Sequence, residues 1–194
     1  MSMEIEKHPL PPFFPEGAEW LFLGSFPPKR QRWSMEFYYP NFQNDMWRIF
    51  GLVFFGDKDY FVDIRRKRFK KEEIEAFLTK QKIAIYDTAK AVVRRSDNAS
   101  DKDLEIVEAA DIIEIIHRLY NLQNITATGQ KALDTVIAQL TKAKVNIKPP
   151  AVGSCASFTI DNRTLHLYRM PSSSRAYPLA LEKKAGIYRN MLIG

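Results

Sequence analysis

One cysteine, Cys155, in 194 residues excludes an internal disulfide framework and fits a reducing compartment. The three histidines, His8, His117 and His166, stand far apart in the chain. With Cys155 they offer no zinc-ligand spacing, so neither a metal nor any other cofactor is expected. Long apolar runs are also missing. None approaches the roughly 20 residues that span a bilayer, so no membrane partner is expected. The first 17 residues are interrupted by prolines and do not form a signal peptide, which points to the cytoplasm. The eight glycines make neither a phosphate-binding G-x-x-x-x-G-K-[ST] loop nor a G-x-S-x-G nucleophile elbow. No histidine has a recognisable partner at useful spacing, and a serine–histidine hydrolase is not indicated.

What remains is the composition of a soluble globular chain, 45% hydrophobic and 27% charged, long enough for a real core. A single domain over residues 1–194 is expected, with residues 1–19 as an irregular arm across the surface. The net charge of +6 weakly favours a polyanionic partner. Residues 20–23 (WLFL) read as a strand buried on both faces. Gly24, Ser25, Pro27 and Pro28 stop it. The loop that follows is dense in cations and aromatics, and Asn44 or Asp45 then caps a helix to about Phe54.

Further along, residues 82–88 and 124–128 read as buried strands, and residues 157–160 and 164–169 as a hairpin about Asp161 and Asn162. Helices are expected over residues 71–80, 112–120, 130–140 and 179–192. The order β-α-α-β-α-β-α-ββ-α predicts an α/β fold, a three-layer α/β/α sandwich around a central, mainly parallel four-stranded sheet. Such a sheet gathers the loops at 24–44, 87–98, 128–130 and 171–177 on one rim, where open α/β proteins bind ligands. Several residues there carry two readings. Asn44 is a helix cap or a site residue. Tyr38, Tyr39, Phe42 and Trp47 are core aromatics or stacking platforms. Residues 65–71 (RRKRFKK) are a solvated face or a phosphate grip.

Taken together, GSFPP at 24–28, YYPNFQNDMWRIFG at 38–51, IYD at 85–87, TGQKA at 128–132 and RMPSSSRAYP at 169–178 resemble the uracil-DNA glycosylase superfamily. The branch they are most similar to is that of the hypoxanthine (deoxyinosine) and mismatch-specific glycosylases. The resemblance implies a monofunctional enzyme of base excision repair. It would flip a deaminated base, hypoxanthine or uracil, out of DNA and hydrolyse its N-glycosidic bond without a metal. The protein would act as a monomer in the cytoplasm, at the nucleoid when on DNA.

By motif position, Asn44 and Ser25 become the candidate catalytic residues. Phe26, Tyr39 and Asp87 become the base-binding ones, with Tyr39 as the stacking aromatic. Pro171, Ser172 and Ser173 correspond to the loop that pinches DNA phosphates, and Arg175 or Tyr177 to a wedge in the gap left by the base. Three positions depart from the pattern. Phe26 stands where uracil-preferring relatives have Asp or Asn, Pro28 replaces a glycine, and Met170 replaces a histidine. Two rival readings remain: a nucleic-acid-binding member that has lost chemistry, and a small-molecule hydrolase using the same rim.

Overall fold

The computed structural model describes residues 4–96 and 101–194. In it the chain runs from β1 (Ile5–Lys7) to β2 (Trp20–Gly24), then α1 (Met46–Phe55), β3 (Val62–Asp63), β4 (Arg68–Phe69) and α2 (Lys71–Lys80). Next come β5 (Ile83–Asp87), β6 (Ala89–Arg94), β7 (Leu104–Ala109), α3 (Ile112–Arg118) and β8 (Asn124–Thr128). The remainder is α4 (Gln130–Lys142), β9 (Ser154–Ile160), β10 (Arg163–Met170) and α5 (Leu181–Leu192).

The main sheet has the order β5-β2-β8-β10-β9. Its first four strands are parallel, and β9 joins the edge antiparallel to β10. The expected four-stranded sheet therefore has five strands. The hairpin adds its first arm to the sheet rather than leaving it outside. Asp161 and Asn162, at φ 48° and 60°, supply the left-handed pair that a two-residue hairpin turn requires. β5 is buried along its whole length and β2 nearly so, which is why both read as uninterrupted apolar runs.

α1 ends at Gly56, whose φ of 69° lets its amide fold back onto the carbonyls of Gly51 and Leu52. Phe22 of β2 meets Phe50 of α1 edge-on at 5.5 Å, and Phe77 of α2 closes against Phe50 and Phe54. Burial of each such ring contributes about 1.5–3 kcal/mol. α1 packs on α5, and α3 on α4.

The residues after β5 hold the main departure from expectation. A loop was expected through residues 89–98 and an acidic segment from 101. Instead β6 and β7, with β1, form a second, three-stranded antiparallel sheet in the order β1-β6-β7. Asn98 of that expected loop lies outside the described residues. The arm is likewise not irregular throughout. Ile5 to Lys7 pair with Val93 to Ala91, and Phe13 bridges to Ile85. A small core of Phe26, Ala89, Val92 and Leu104 lies under this second sheet.

From β2 the chain crosses towards β5, whereas from β8 it crosses the other way, to β10. The carboxyl ends of β2 and β8 are thus a topological switch point, where loops diverge and leave a crevice.

Candidate active site

Three strand ends form the floor of that crevice: Gly24 of β2, Asp87 of β5 and Thr128 of β8. Gly24 stands opposite Asp87 in the parallel register. A side chain at Gly24 would place its Cβ 2.6 Å from Asp87 Oδ1 and 3.2 Å from the Tyr39 hydroxyl. Only glycine lets both groups approach. The Tyr39 hydroxyl lies 2.8 Å from Thr128 Oγ1, which donates to the Leu23 carbonyl at 3.2 Å. Tyr39 itself sits at φ 51°, a left-handed conformation that an aromatic residue adopts only when its surroundings impose it. Here Thr128 holds the hydroxyl and Trp47 meets the ring edge-on at 6.1 Å.

Asp87 is 5% exposed, and its Oδ2 lies 2.7 Å from Nε2 of His8, itself almost fully buried. His8 Nδ1 lies 3.0 Å from the Leu10 carbonyl oxygen and 3.2 Å from the Leu10 amide. Against a carboxylate oxygen, which only accepts, Nε2 is the donor. Phe26, Tyr38 and Tyr86 surround the imidazole at 5.3, 6.0 and 5.2 Å. In the folded chain all three histidines have partners: His117 pairs with Asp161, and His166 Nδ1 lies 2.8 Å from Ser157 Oγ. These contacts join residues 79, 44 and 9 positions apart, so sequence spacing does not reveal them.

One wall is the loop between β2 and α1. Its start is pinned to the second sheet, since the Thr88 amide donates to the Gly24 carbonyl and that of Ala89 to the Ser25 carbonyl. Ser25 is buried, and Phe26 packs into the small second core while still lining the cleft. Asn44 Oδ1 accepts the Met46 amide, the first of α1, at 2.9 Å; the N-cap position itself is Asp45, whose side chain makes no capping bond. The buried Arg48 guanidinium lies over Phe42 and Phe69 at 4.7 and 5.2 Å and donates to the carbonyls of Phe42 and Asn44. Burial lowers its pKa, and the charge of Arg175 adds to that. An arginine so lowered still carries its charge, and it braces the 42–44 turn.

The opposite wall is the loop after β10. The Asp45 amide donates to the Ser173 carbonyl at 2.9 Å, joining the two walls. Asp45, also buried, takes Arg175 Nε on Oδ1 at 3.1 Å and Lys184 Nζ on Oδ2 at 3.2 Å. The Lys184 side chain is fully buried and also donates to the Ser174 carbonyl at 2.9 Å. The Ser174 and Ala176 amides donate to the hydroxyls of Ser172 and Ser174, which sets the loop's turns. Pro171 offers its carbonyl to the Tyr188 hydroxyl. Arg175, whose side chain is 51% exposed, is tied to Asp45, and Tyr177 is half-buried.

Every candidate residue except Pro171 lines one cleft of about 1420 Å³, which continues past Gln130 and Lys131 of α4. It exceeds the roughly 300–1,000 Å³ of ordinary small-molecule pockets, leaving room for more than one base-sized group. Read from sequence alone, His8 and Lys184 have no role, Asp45 is only an alternative helix cap, and Arg48 is only one of the cations interleaved with aromatics. Lys184 carries a signal, a lysine on the buried stripe formed by Ala185, Tyr188 and Met191 of α5. Among the described residues no three His, Cys, Asp or Glu side chains are grouped to hold a metal ion. No described helix is long and apolar enough to cross a membrane.

No protein-family model matches the chain, and no curated protein is similar to it in sequence. Among solved structures it is similar to that of a candidate uracil DNA glycosylase from Methanosarcina acetivorans, determined in solution by NMR. The two superpose with a TM-score of 0.63 at 21% identity, over 97% of this chain and 99% of the other. At that identity the two share a fold.

Proposed function

We propose that the protein is a DNA glycosylase that flips a deaminated base, hypoxanthine or uracil, into the crevice and hydrolyses its N-glycosidic bond. The observation that carries this reading is the convergence of Asp87 Oδ1 and the Tyr39 hydroxyl over Gly24, at the switch point of a glycosylase-like fold. The two crossover directions, with right-handed connections, also favour helices on both faces of the sheet and hence the layered arrangement of that fold.

Each residue then has a task. Extrusion of a base costs a few kcal/mol, offset by stacking and by hydrogen bonds to its pairing edge. Tyr39 supplies the stacking face, and Asp87 accepts the ring N–H of the base. The amides of Ser25 and Phe26, in the first turn after Gly24, face the negative charge that develops on the departing base. Asn44 spends its oxygen on the first amide of α1, which leaves its Nδ2 donors to orient the water or the base. Ser172, Ser173 and Arg175 contact phosphates on the other wall, and Tyr177 fills the gap in the stack.

Incubation with duplexes containing deoxyinosine, deoxyuridine or xanthine, followed by alkaline cleavage of abasic sites, tests the proposal. Strand scission at the lesion is expected for at least one of them. A second reading, a nucleic-acid-binding protein without chemistry, is favoured by one observation: Phe26 offers no water-activating group in the first turn. Salt-sensitive duplex binding with no scission on any lesion would establish it. Absence of both scission and binding would remove DNA as the ligand and leave the small-molecule hydrolase.

A further inference from the structure

We propose that His8, carried by the amino-terminal arm, is a positioning residue of the cleft. It fixes the orientation of the Asp87 carboxylate as an acceptor, so that the site takes bases presenting a ring N–H and rejects those presenting a ring-nitrogen lone pair. The identity of the ligand rests on the DNA-glycosylase reading; the geometry of the pair does not.

His8 is fixed on several sides. Its amide donates to the Lys90 carbonyl at 2.8 Å, extending the pairing of β1 with β6. Its Nδ1 is engaged by the Leu10 backbone, 3.0 Å from the carbonyl oxygen and 3.2 Å from the amide, and three aromatic rings pack around the imidazole. The ring has one polar atom left, Nε2, and that atom is on Asp87 Oδ2 at 2.7 Å. The carboxylate plane is thereby set, and Oδ1 is the oxygen that reaches over Gly24. Asp87 lines the cleft and His8 does not, so His8 acts only through Asp87. An arm that merely covered the surface would need no buried imidazole at its end.

The consequence follows from base chemistry. Deamination turns N1 of adenine and N3 of cytosine from lone-pair acceptors into N–H donors, in hypoxanthine and uracil. An ionised carboxylate has acceptors only. Hypoxanthine or uracil satisfies Oδ1, whereas adenine or cytosine sets a lone pair against it and leaves a buried acceptor unpaired. That mismatch is worth roughly 10- to 100-fold in affinity.

The test compares binding of duplexes carrying non-hydrolysable 2′-fluoro analogues of deoxyinosine and of deoxyadenosine, by fluorescence anisotropy. The intact protein is expected to prefer the inosine duplex. His8→Ala should shrink that preference about tenfold or more while affinity for unmodified duplex stays the same. His8→Gln, which can return an N–H donor to Oδ2, should restore it, and Asp87→Asn should abolish it. Should His8→Ala unfold, His8→Gln and Asp87→Asn carry the comparison. Undiminished preference in folded His8→Ala, or in Asp87→Asn, overturns the proposal, as does equal binding of both duplexes by the intact protein. Preference for the inosine duplex without any base excision, lost in His8→Ala, sustains it while removing the glycosylase reading. Excision with undiminished preference in His8→Ala does the reverse.

Discussion

Asn44 accepts the first amide of α1 with its oxygen, and the chemistry proposed for it needs only its amide nitrogen, so the two roles separate by substitution. Serine caps a helix about as well as asparagine but has no NH2 group. Asn44→Ser should therefore unfold in urea within a few tenths of a kcal/mol of the intact protein. Its rate of base excision should fall by roughly a hundredfold or more, the scale of losing one polar catalytic group. Asn44→Ala should lose the rate and about 0.5–2 kcal/mol of stability together. An unchanged rate in Asn44→Ser would reduce Asn44 to a cap. Gly24 gives a second prediction at this scale. In Gly24→Ala the new Cβ would stand 2.6 Å from Asp87 Oδ1, on a carboxylate that His8 holds through Oδ2. Overpacking of this kind costs about 1–3 kcal/mol. Displacement of Asp87 should abolish excision, read as loss of strand scission by a variant whose circular dichroism is intact.

At the scale of elements, the loop after β10 is held to α1 and α5 by one buried acid and its two cations. Lys184→Met would leave Asp45 with only the half-exposed Arg175. Removing one partner of a buried pair costs about 3–5 kcal/mol, whereas removing both is far milder. Urea unfolding should show that loss for Lys184→Met and recovery of much of it in Asp45→Asn/Lys184→Met. Equal stability of single and double variants would mean that Asp45 is satisfied without the lysine.

The same elements explain what sequence reveals and what it hides. β2, β5 and β8 are legible because burial on both faces leaves continuous apolar runs. β7 is not, because Glu105, Val107 and Glu108 face solvent and its acids read as a charged segment. β1 is three residues long and gains its strand character only from β6. The candidate residues on the rim were legible because strand ends and loop motifs are local. The His8–Asp87 and Asp45–Lys184 pairs were not, because they exist only once the chain has folded.

For the whole molecule, two buried phenols tie distant parts of the chain together. Tyr38 donates to the Pro11 carbonyl at 2.7 Å, fastening the arm, and Tyr188 donates to that of Pro171 at 3.0 Å, fastening the loop after β10. Burial raises both pKa values far above the ordinary tyrosine value of about 10; the charge of Asp87 adds to the effect on Tyr38 and that of Tyr39 to the effect on Tyr188. Both phenols are neutral in the folded and unfolded chain below pH 10, so their contribution is fully present there. Above pH 10 the unfolded chain loses protons that the folded one keeps, and stability falls by up to about 1.4 kcal/mol per pH unit for each phenol. Urea unfolding at pH 8, 10 and 11 should show a decline that begins near pH 10, with a smaller slope in Tyr38→Phe/Tyr188→Phe. Absorbance at 295 nm should show these two of the eight tyrosines ionising only as the protein unfolds. If both ionise in the folded protein near pH 10, the arm and the loop open to solvent on their own, and the cleft whose wall that loop forms is not the preformed site that the proposed base recognition by Asp87 requires.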